Sequence, residues 1–508
     1  MHRFVTEDAG EIMEWTEIEP VRVVPDWLQQ RSEQQPTRVA IASPDGSWTY
    51  HELYDAACKY AASLRNLGVL EGQRVAVLAK KGARYALMLH ALMQLNAVIV
   101  PLNWRLTGEE LAQQLADCEA VMLLHDAACA SLAADLCEFY QVRLGAHAIE
   151  QLPRSTEPIA RHNVDLVRPH ALIYTSGTTG RSKGAIITYQ NHWWGAMASV
   201  LQLGLDANER WLVPMPLFHV GGMAVLIRSL IYGTTVVIHN GFDETAVNRA
   251  IEQEGITLLS VVPAMLQRML DHRTRPYPAT LRSVLLGGSA APRPLLEQAL
   301  ALGVPINQSY GLTEANTQVT TLQSVDALRK VGSSGKPLAV TRVAIDTPDG
   351  LTHAPNVEGE IAIQGPTVVS GYYHRPEANA RSFRDGWFYT GDIGVFDEEG
   401  YLFVLDRRAD LIVSGGENVY PAEVESVLAQ HPQVLESAVV GQADARWGQV
   451  PVAFVVAAGN VAEETLITHC RTHLAAYKVP KAVYLLKELP RNASGKLLRR
   501  ALKERLSR

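Results

Sequence analysis

Between Tyr174 and Gly184 the chain reads YTSGTTGRSKG, a run of small hydroxyl residues and glycines closed by one lysine. Such residues can hold phosphate. The backbone N–H groups, the hydroxyls of Thr175, Ser176, Thr178 and Thr179, and the Lys183 ammonium all donate to anionic oxygen, with Gly177 and Gly180 in the same loop. The Walker spacing is not met, because Gly180 stands three places before Lys183 and Gly184 follows it where Ser or Thr is required. HALIYTSG before the loop and the β-branched AIIT after it predict strand, loop, strand, not the helix N-terminus on which a Walker loop rests its phosphates. A hairpin without a ligand is the plain alternative.

Other residues invite the same question. Arg228 interrupts the apolar run GGMAVLIRSLIYG, and an arginine buried there must find a partner; the plainer options are solvent or a structural carboxylate. His219 follows an apolar strand, where a packed or capping role competes with one in a pocket. Gly415 and Gly416, in LIVSGGEN, put no side chain in the way of a thin substrate, though alone they would mark a tight turn. Asp392, in YTGD, offers two acceptor oxygens, again against a turn-forming alternative. Lys496, in LPRNASGK, competes with the reading of one more solvated lysine before a basic tail.

The elements that must position these residues are legible in outline. At 508 residues the chain exceeds the size at which one core keeps growing, so two or more domains are expected. From Trp27 to about Ala160, helical patterns such as YHELYDAACKYAASLRNLG alternate with apolar runs such as RVAVLA, AVIVPL and AVMLLH, which predicts a mainly parallel sheet covered by helices. Thr107 and Glu110 form a capping-box pattern. The middle third repeats this grammar at TTVVIH, ITLLSVV and SVLLGG. After Lys330, RVAIDTPDG, GEIAIQG and YLFVLD predict a smaller antiparallel β-rich part. Past DRRAD, Asp406 to Asp410, a compact block of helix and strand is large enough for a small separate domain. The fold class is therefore α/β: a large N-terminal domain of two α/β subdomains plus a β-rich part, and a small α+β C-terminal domain.

Composition narrows the class. The formal net charge is −7 and the basic residues are scattered apart from the end LLRRALKERLSR, which argues against nucleic acid. The cysteines, odd in number at five and without a C-x-x-C pair, argue against disulfides and structural zinc. The N-terminus lacks the apolar core of a signal peptide, and the apolar stretch Tyr85 to Leu102 carries His90, Gln94 and Asn96 and stops at Pro101, so a buried helix entering a strand is expected there. A cytosolic protein is the expectation.

These segments together resemble the adenylate-forming superfamily, which contains acyl-CoA synthetases, luciferases and peptide-synthetase adenylation domains. The phosphate loop matches its signature. PMPLFHVGG (Pro214 to Gly222), LLGGSA (Leu285 to Ala290), QSYGLTE (Gln308 to Glu314), YTGD (Tyr389 to Asp392), DRRADLIVSGGENVYPAEVE (Asp406 to Glu425) and LPRNASGK (Leu489 to Lys496) follow in the family's order and span nearly the whole chain. The resemblance implies that a carboxylate attacks the α-phosphorus of ATP, pyrophosphate leaves, and the thiol of coenzyme A then displaces AMP. At the matching positions it implies that Lys496 bridges carboxylate and phosphate, Thr313 contacts the α-phosphate, Glu314 holds Mg2+, Tyr310 stacks on adenine, and Asp392 with Arg407 binds the ribose. Gly287, Gly288, Ser289, Ala290, Ser309 and Gly311 fall in the nucleotide- and substrate-binding segments, Gly415 and Gly416 at the pantetheine passage, and His219 at the gate of the acyl pocket. Trp447 and Gly448 lie where relatives contact CoA or the domain interface. Residues 1–405 are then an adenylation domain, 406–410 a hinge, with Ala409 where many members carry Asp or Lys, and 411–508 a mobile domain that rotates between the half-reactions.

Across HVGGMAVLIRSLIYG, FDETAVNRAIEQEGITLLSVVPAMLQRML and LRSVLLGGSAAPRPLLE the chain is most similar to the o-succinylbenzoate:CoA ligases of menaquinone synthesis. That acid has two carboxylates, and Arg228 matches the position implied to face the aromatic one. Gly221 stands where some of these ligases carry serine. The rivals are another aryl- or acyl-CoA synthetase of 4-coumarate, benzoate or fatty-acid type, a carrier-loading adenylation module, and a non-catalytic adenylate-binding protein. The expected partners are a small carboxylate, ATP with Mg2+, and coenzyme A, without nucleic acid or stable membrane insertion. A homo-oligomer stays open.

Overall fold

The computed structural model describes residues 21–80, 82–140, 144–175, 182–288, 291–406, 411–490 and 499–506. A six-stranded sheet runs in the order Lys183–Thr188, Pro169–Thr175, Val98–Pro101, Arg74–Leu78, Met122–His125 and Gly145–Ala148. Its strands are parallel except for Lys183–Thr188, which turns back on Pro169–Thr175 in a hairpin pairing Lys183 with Thr175. The loop expected to cradle phosphate is thus flanked by strands on both sides. The helix Gly82–Gln94 runs into the strand Val98–Pro101, both buried, as the Tyr85 to Leu102 pattern implied. No helix among the described residues is long and apolar enough to cross a membrane.

A fifteen-stranded sheet forms the second body. Its parallel part joins Val39–Ser43, Thr235–Ile238, Arg210–Val213, Leu258–Val261, Ser283–Leu286 and Ile306–Leu312. This corrects the sequential division into two α/β units. The early hairpin Val39–Ser43 and Gly46–Thr49 pairs with Thr235–Ile238 of the second sheet, while the later hairpin Pro169–Thr175 and Lys183–Thr188 completes the first. Strand pairing depends on which edge can be buried, and proximity in sequence decides it only by default. The β-rich part after Lys330 is antiparallel as expected, but it continues the same sheet through Thr317–Leu322, Ser333–Pro337 and Leu402–Asp406.

Helix starts follow local chemistry. Thr49 with Glu52, Thr107 with Glu110, and Thr188 with Asn191 each make reciprocal side-chain and backbone bonds that satisfy otherwise orphaned N–H groups. The helix Val220–Tyr232 is almost wholly buried and ends at Gly233, whose φ of +72° closes the last turn.

The C-terminal domain has its own sheet, built on the long hairpin Val434–Asp444 and Gly448–Ala457, and its own core around Val424, Leu428, Val439, Val455 and Leu466. The terminal helix Arg499–Leu506 covers the opposite face of that sheet through Leu502. The domain docks on the first sheet's side, where Ala475 joins the cluster containing Leu106 and Leu111. All five cysteines are free thiols, four of them buried.

Candidate active site

One cavity of about 380 Å³ lies between the two domains, and every described residue expected at the site lines it except Lys183, Trp447 and Gly448. Ser176 to Gly180, Ser289, Ala290, Arg407 and Lys496, with Ala409, fall outside the described residues.

The residues implied for the nucleotide stand on the large sheet. The strand Ile306–Leu312 carries Ser309, Tyr310 and Gly311, and a tight turn at Thr313–Ala315 presents Glu314. The Tyr310 hydroxyl donates to Asp392 Oδ2 at 2.7 Å, tying this strand to Trp387–Phe396. The residues implied for adenine and ribose are therefore in contact. Glu314 is buried, and one of its oxygens accepts from the Tyr372 hydroxyl at 2.6 Å. The Tyr372 ring in turn faces the Lys183 ammonium at 5.2 Å, linking the acidic group to the phosphate hairpin. Among the described residues no cluster of three or more His, Cys, Asp or Glu could cage a metal. A single hard carboxylate, linked through Tyr372 to Lys183, suits Mg2+, which keeps most of its waters.

The residue implied for the acid stands on the helix Val220–Tyr232. Arg228 is 3% exposed and lines the cavity. It finds neither of the bland partners: its Nη1 donates to Gln318 Oε1 at 2.9 Å and its Nη2 to Thr317 Oγ1 at 2.5 Å, both neutral. Burial pulls the guanidinium below its ordinary pKa, and nearby Tyr232 opposes this. Gly221 opens on the same cavity; a Cβ there would meet only Met215 Cε at 3.7 Å, an ordinary contact, so a serine would fit.

Val262 and the glycines implied for the pantetheine passage line the same cavity. A Cβ on Gly288 would approach Val262 Cγ1 to 3.1 Å, and one on Gly416 would meet the same valine at 3.5 Å. Gly288, Gly415 and Gly416 take φ values of +87°, +59° and +89°, which side-chain-bearing residues avoid. Gly415 donates its N–H to the Trp447 carbonyl at 2.7 Å, with the indole lying over it.

His219 does not simply face the acyl pocket. Its Nε2 lies 2.9 Å from Glu417 Oε2 of the C-terminal domain, and Arg105 pairs with the other oxygen. Burial disfavours the charged form of Glu417, yet His219 and Arg105 outweigh it and hold the carboxyl down to about 2. Nearby, Lys478 of the C-terminal domain bonds Glu110 at 2.5 Å and Glu423 at 2.7 Å, so the capping glutamate also serves the domain interface. Arg105, Thr317, Gln318, Tyr372, Glu417 and Lys478 were not expected from sequence. Only Glu417, directly after the glycine pair, carried a local signal.

A family model described as AMP-binding enzyme matches residues 28–373, and one for the AMP-binding enzyme C-terminal domain matches residues 423–496. The chain belongs to the AMP-binding enzyme family. Family members similar to it include the 2-succinylbenzoate–CoA ligase of Bacillus cytotoxicus, 45% identical over 96% of this chain and 99% of that one. The enzyme so named from a Geobacillus species is 45% identical over 95% and 97%. Among solved family structures, a double mutant of o-succinylbenzoate CoA synthetase from Bacillus subtilis, bound with its product analogue OSB-NCoA, is 40% identical and covers 95% of this chain and 99% of its own, with a TM-score of 0.90. The same enzyme in complex with the acyl-adenylate intermediate OSB-AMP is 40% identical over 95% and 98%, with a TM-score of 0.74.

Proposed function

We propose that this AMP-binding enzyme is an acid:CoA ligase that converts o-succinylbenzoate to o-succinylbenzoyl-CoA for menaquinone synthesis. The observation that carries the substrate is Arg228, a buried cation on the cavity wall whose partners among the described residues are neutral. A dicarboxylic acid supplies the missing anion, and a fatty acid has none to give. The relatives named 2-succinylbenzoate–CoA ligase support the same acid.

In the first half-reaction the aliphatic carboxylate attacks the α-phosphorus of ATP, and the bond to the β-phosphate breaks. Lys183 and the hairpin hydroxyls hold the departing pyrophosphate, Thr313 donates to the α-phosphate, and Lys496 bridges carboxylate and phosphate. Glu314 would hold Mg2+, which would supply positive charge to the reaction when bound. Tyr310 and Asp392, with Arg407, orient the nucleoside. In the second half-reaction the CoA thiolate enters past Gly288, Gly415 and Gly416, attacks the acyl carbon, and AMP leaves.

The reading keeps residues 1–405 as the adenylation domain, 406–410 as a hinge and 411–508 as the mobile domain, in a cytosolic enzyme acting on small molecules. The present arrangement is read as the thioester-forming one. The higher TM-score to the product-analogue complex and the Glu417 latch across the domains support it.

The test is a panel of carboxylic acids in a pyrophosphate-release assay with CoA present. Release with o-succinylbenzoate, and little with benzoate, 4-coumarate or fatty acids, is expected. Preference for any monocarboxylic acid would overturn the substrate.

A further inference from the structure

Arg228 is held by acceptors from neighbouring positions of one strand, Thr317–Leu322. Successive side chains of a regular strand point to opposite faces, so residues 317 and 318 should not reach the same guanidinium. They reach it because Thr317 leaves strand conformation, with φ at +95° directly after Asn316 at +47°. A β-branched residue rarely enters this region, and its surroundings must hold it there. Gly311 contributes by absence: a Cβ at that position would lie 1.8 Å from the Thr317 carbonyl oxygen, so glycine alone lets the two backbones close up. Asn316 anchors the turn by donating its side-chain amide to the Asn191 carbonyl at 2.8 Å. Gln318 donates Nε2 to Thr321 Oγ1 at 3.2 Å, which turns its oxygen to Arg228. The face of Trp211, 6.0 Å from the guanidinium carbon, further restrains its plane.

We propose that Thr317 and Gln318 are positioning residues that set acid specificity by aiming the Arg228 guanidinium into the cavity without cancelling its charge. The proposal rests on the reading of Arg228 given above. Neutral acceptors orient a cation and leave its charge to an outside partner, whereas a carboxylate at either position would satisfy it internally. Arginine has further N–H groups beyond the two engaged here, and none of them meets a protein acceptor among the described residues. They are what remains for the substrate's second carboxylate.

The decisive variant is Gln318→Glu, which keeps the shape and places an anion beside Arg228. The readout is the ratio of kcat/KM for o-succinylbenzoate to that for the analogue bearing hydrogen in place of the ring carboxylate. Gln318→Glu should lower this ratio about tenfold or more, through KM for the dicarboxylate, with KM for ATP nearly unchanged. Thr317→Val, which keeps the branched shape without the hydroxyl, should lower it by about threefold to tenfold, and Thr317→Ser should restore it. Arg228→Ala serves as the reference. If it collapses the ratio while Gln318→Glu and Thr317→Val leave it within about twofold of wild type, the positioning role is overturned and the Arg228 reading stands. If Arg228→Ala itself leaves the ratio unchanged, the underlying reading fails. Should Gln318→Glu not fold, the Thr317 pair decides, since loss of the ratio in Val and its return in Ser cannot come from a merely structural role.

Discussion

Arg228 and Glu417 are buried charges on the wall of one cavity, 3% and 5% exposed, and their surroundings are opposite. Glu417 belongs to the C-terminal domain and is met by Arg105 and His219 of the large domain. Arg228 is met by an amide oxygen and a hydroxyl of its own domain. A charge compensated from across an interface reports how two bodies are docked. A charge left with neutral partners reports something that arrives from outside, because burying it uncompensated costs too much to be incidental. On the proposed reading the first is a latch and the second a binding site, and the two should respond to different perturbations.

Variants that separate the half-reactions sharpen this contrast most. Lys496→Ala should reduce adenylate formation by about a thousandfold or more while sparing thioester formation from supplied acyl-adenylate, since its proposed role lies in the first step alone. Single-turnover assays of each step check this, and equal loss in both would merge what is here kept apart. Arg228→Ala comes next: KM for o-succinylbenzoate should rise by about a hundredfold, as expected for the loss of charge-assisted bonds to a carboxylate, with KM for ATP within about twofold. Steady-state kinetics with each substrate varied would detect a common shift, which would point to general damage.

Glu417→Gln should act on the other half-reaction. The neutral amide keeps the shape and loses the attraction of His219 and Arg105, so thioester formation should slow by about tenfold with adenylation little changed. A slowed adenylation step in rapid-quench measurements would contradict a latch specific to the docked arrangement. The smallest effect is on stability. The folded-state carboxyl of Glu417, at about 2, lies below the unfolded value of about 4.3, so its contribution is present above the higher value and disappears as pH falls through the lower. A deficit of about 1–3 °C in the melting temperature of Glu417→Gln near neutral pH should shrink as pH drops below about 4. A deficit that grows on acidification would reverse the sign.

The same contrast explains what the sequence disclosed. The phosphate hairpin was legible because β-branched residues flank the loop on both sides, and the Thr107–Glu110 cap because its pattern is local. Arg228 was legible as a charge interrupting an apolar helix. Its partners were not, since Thr317 reaches it only through a backbone conformation that threonine disfavours and no local pattern announces. Glu417 stood beside the glycine pair, but its partners lie some two hundred and three hundred residues earlier, in another domain. The exchange of hairpins between the two sheets was hidden for a related reason: edge pairing is settled by long-range burial, and both hairpins read alike as local strands.

The claim that Arg228 is reserved for the second carboxylate of the acid is tested most directly by a cycle over enzyme and substrate. The kcat/KM of wild type and of Arg228→Ala would each be measured for o-succinylbenzoate and for the analogue lacking the ring carboxylate. Wild type should prefer the dicarboxylate by about a hundredfold and Arg228→Ala should show almost no preference, so the two losses overlap. An undiminished preference in Arg228→Ala would place the recognition of that carboxylate elsewhere and contradict the assignment.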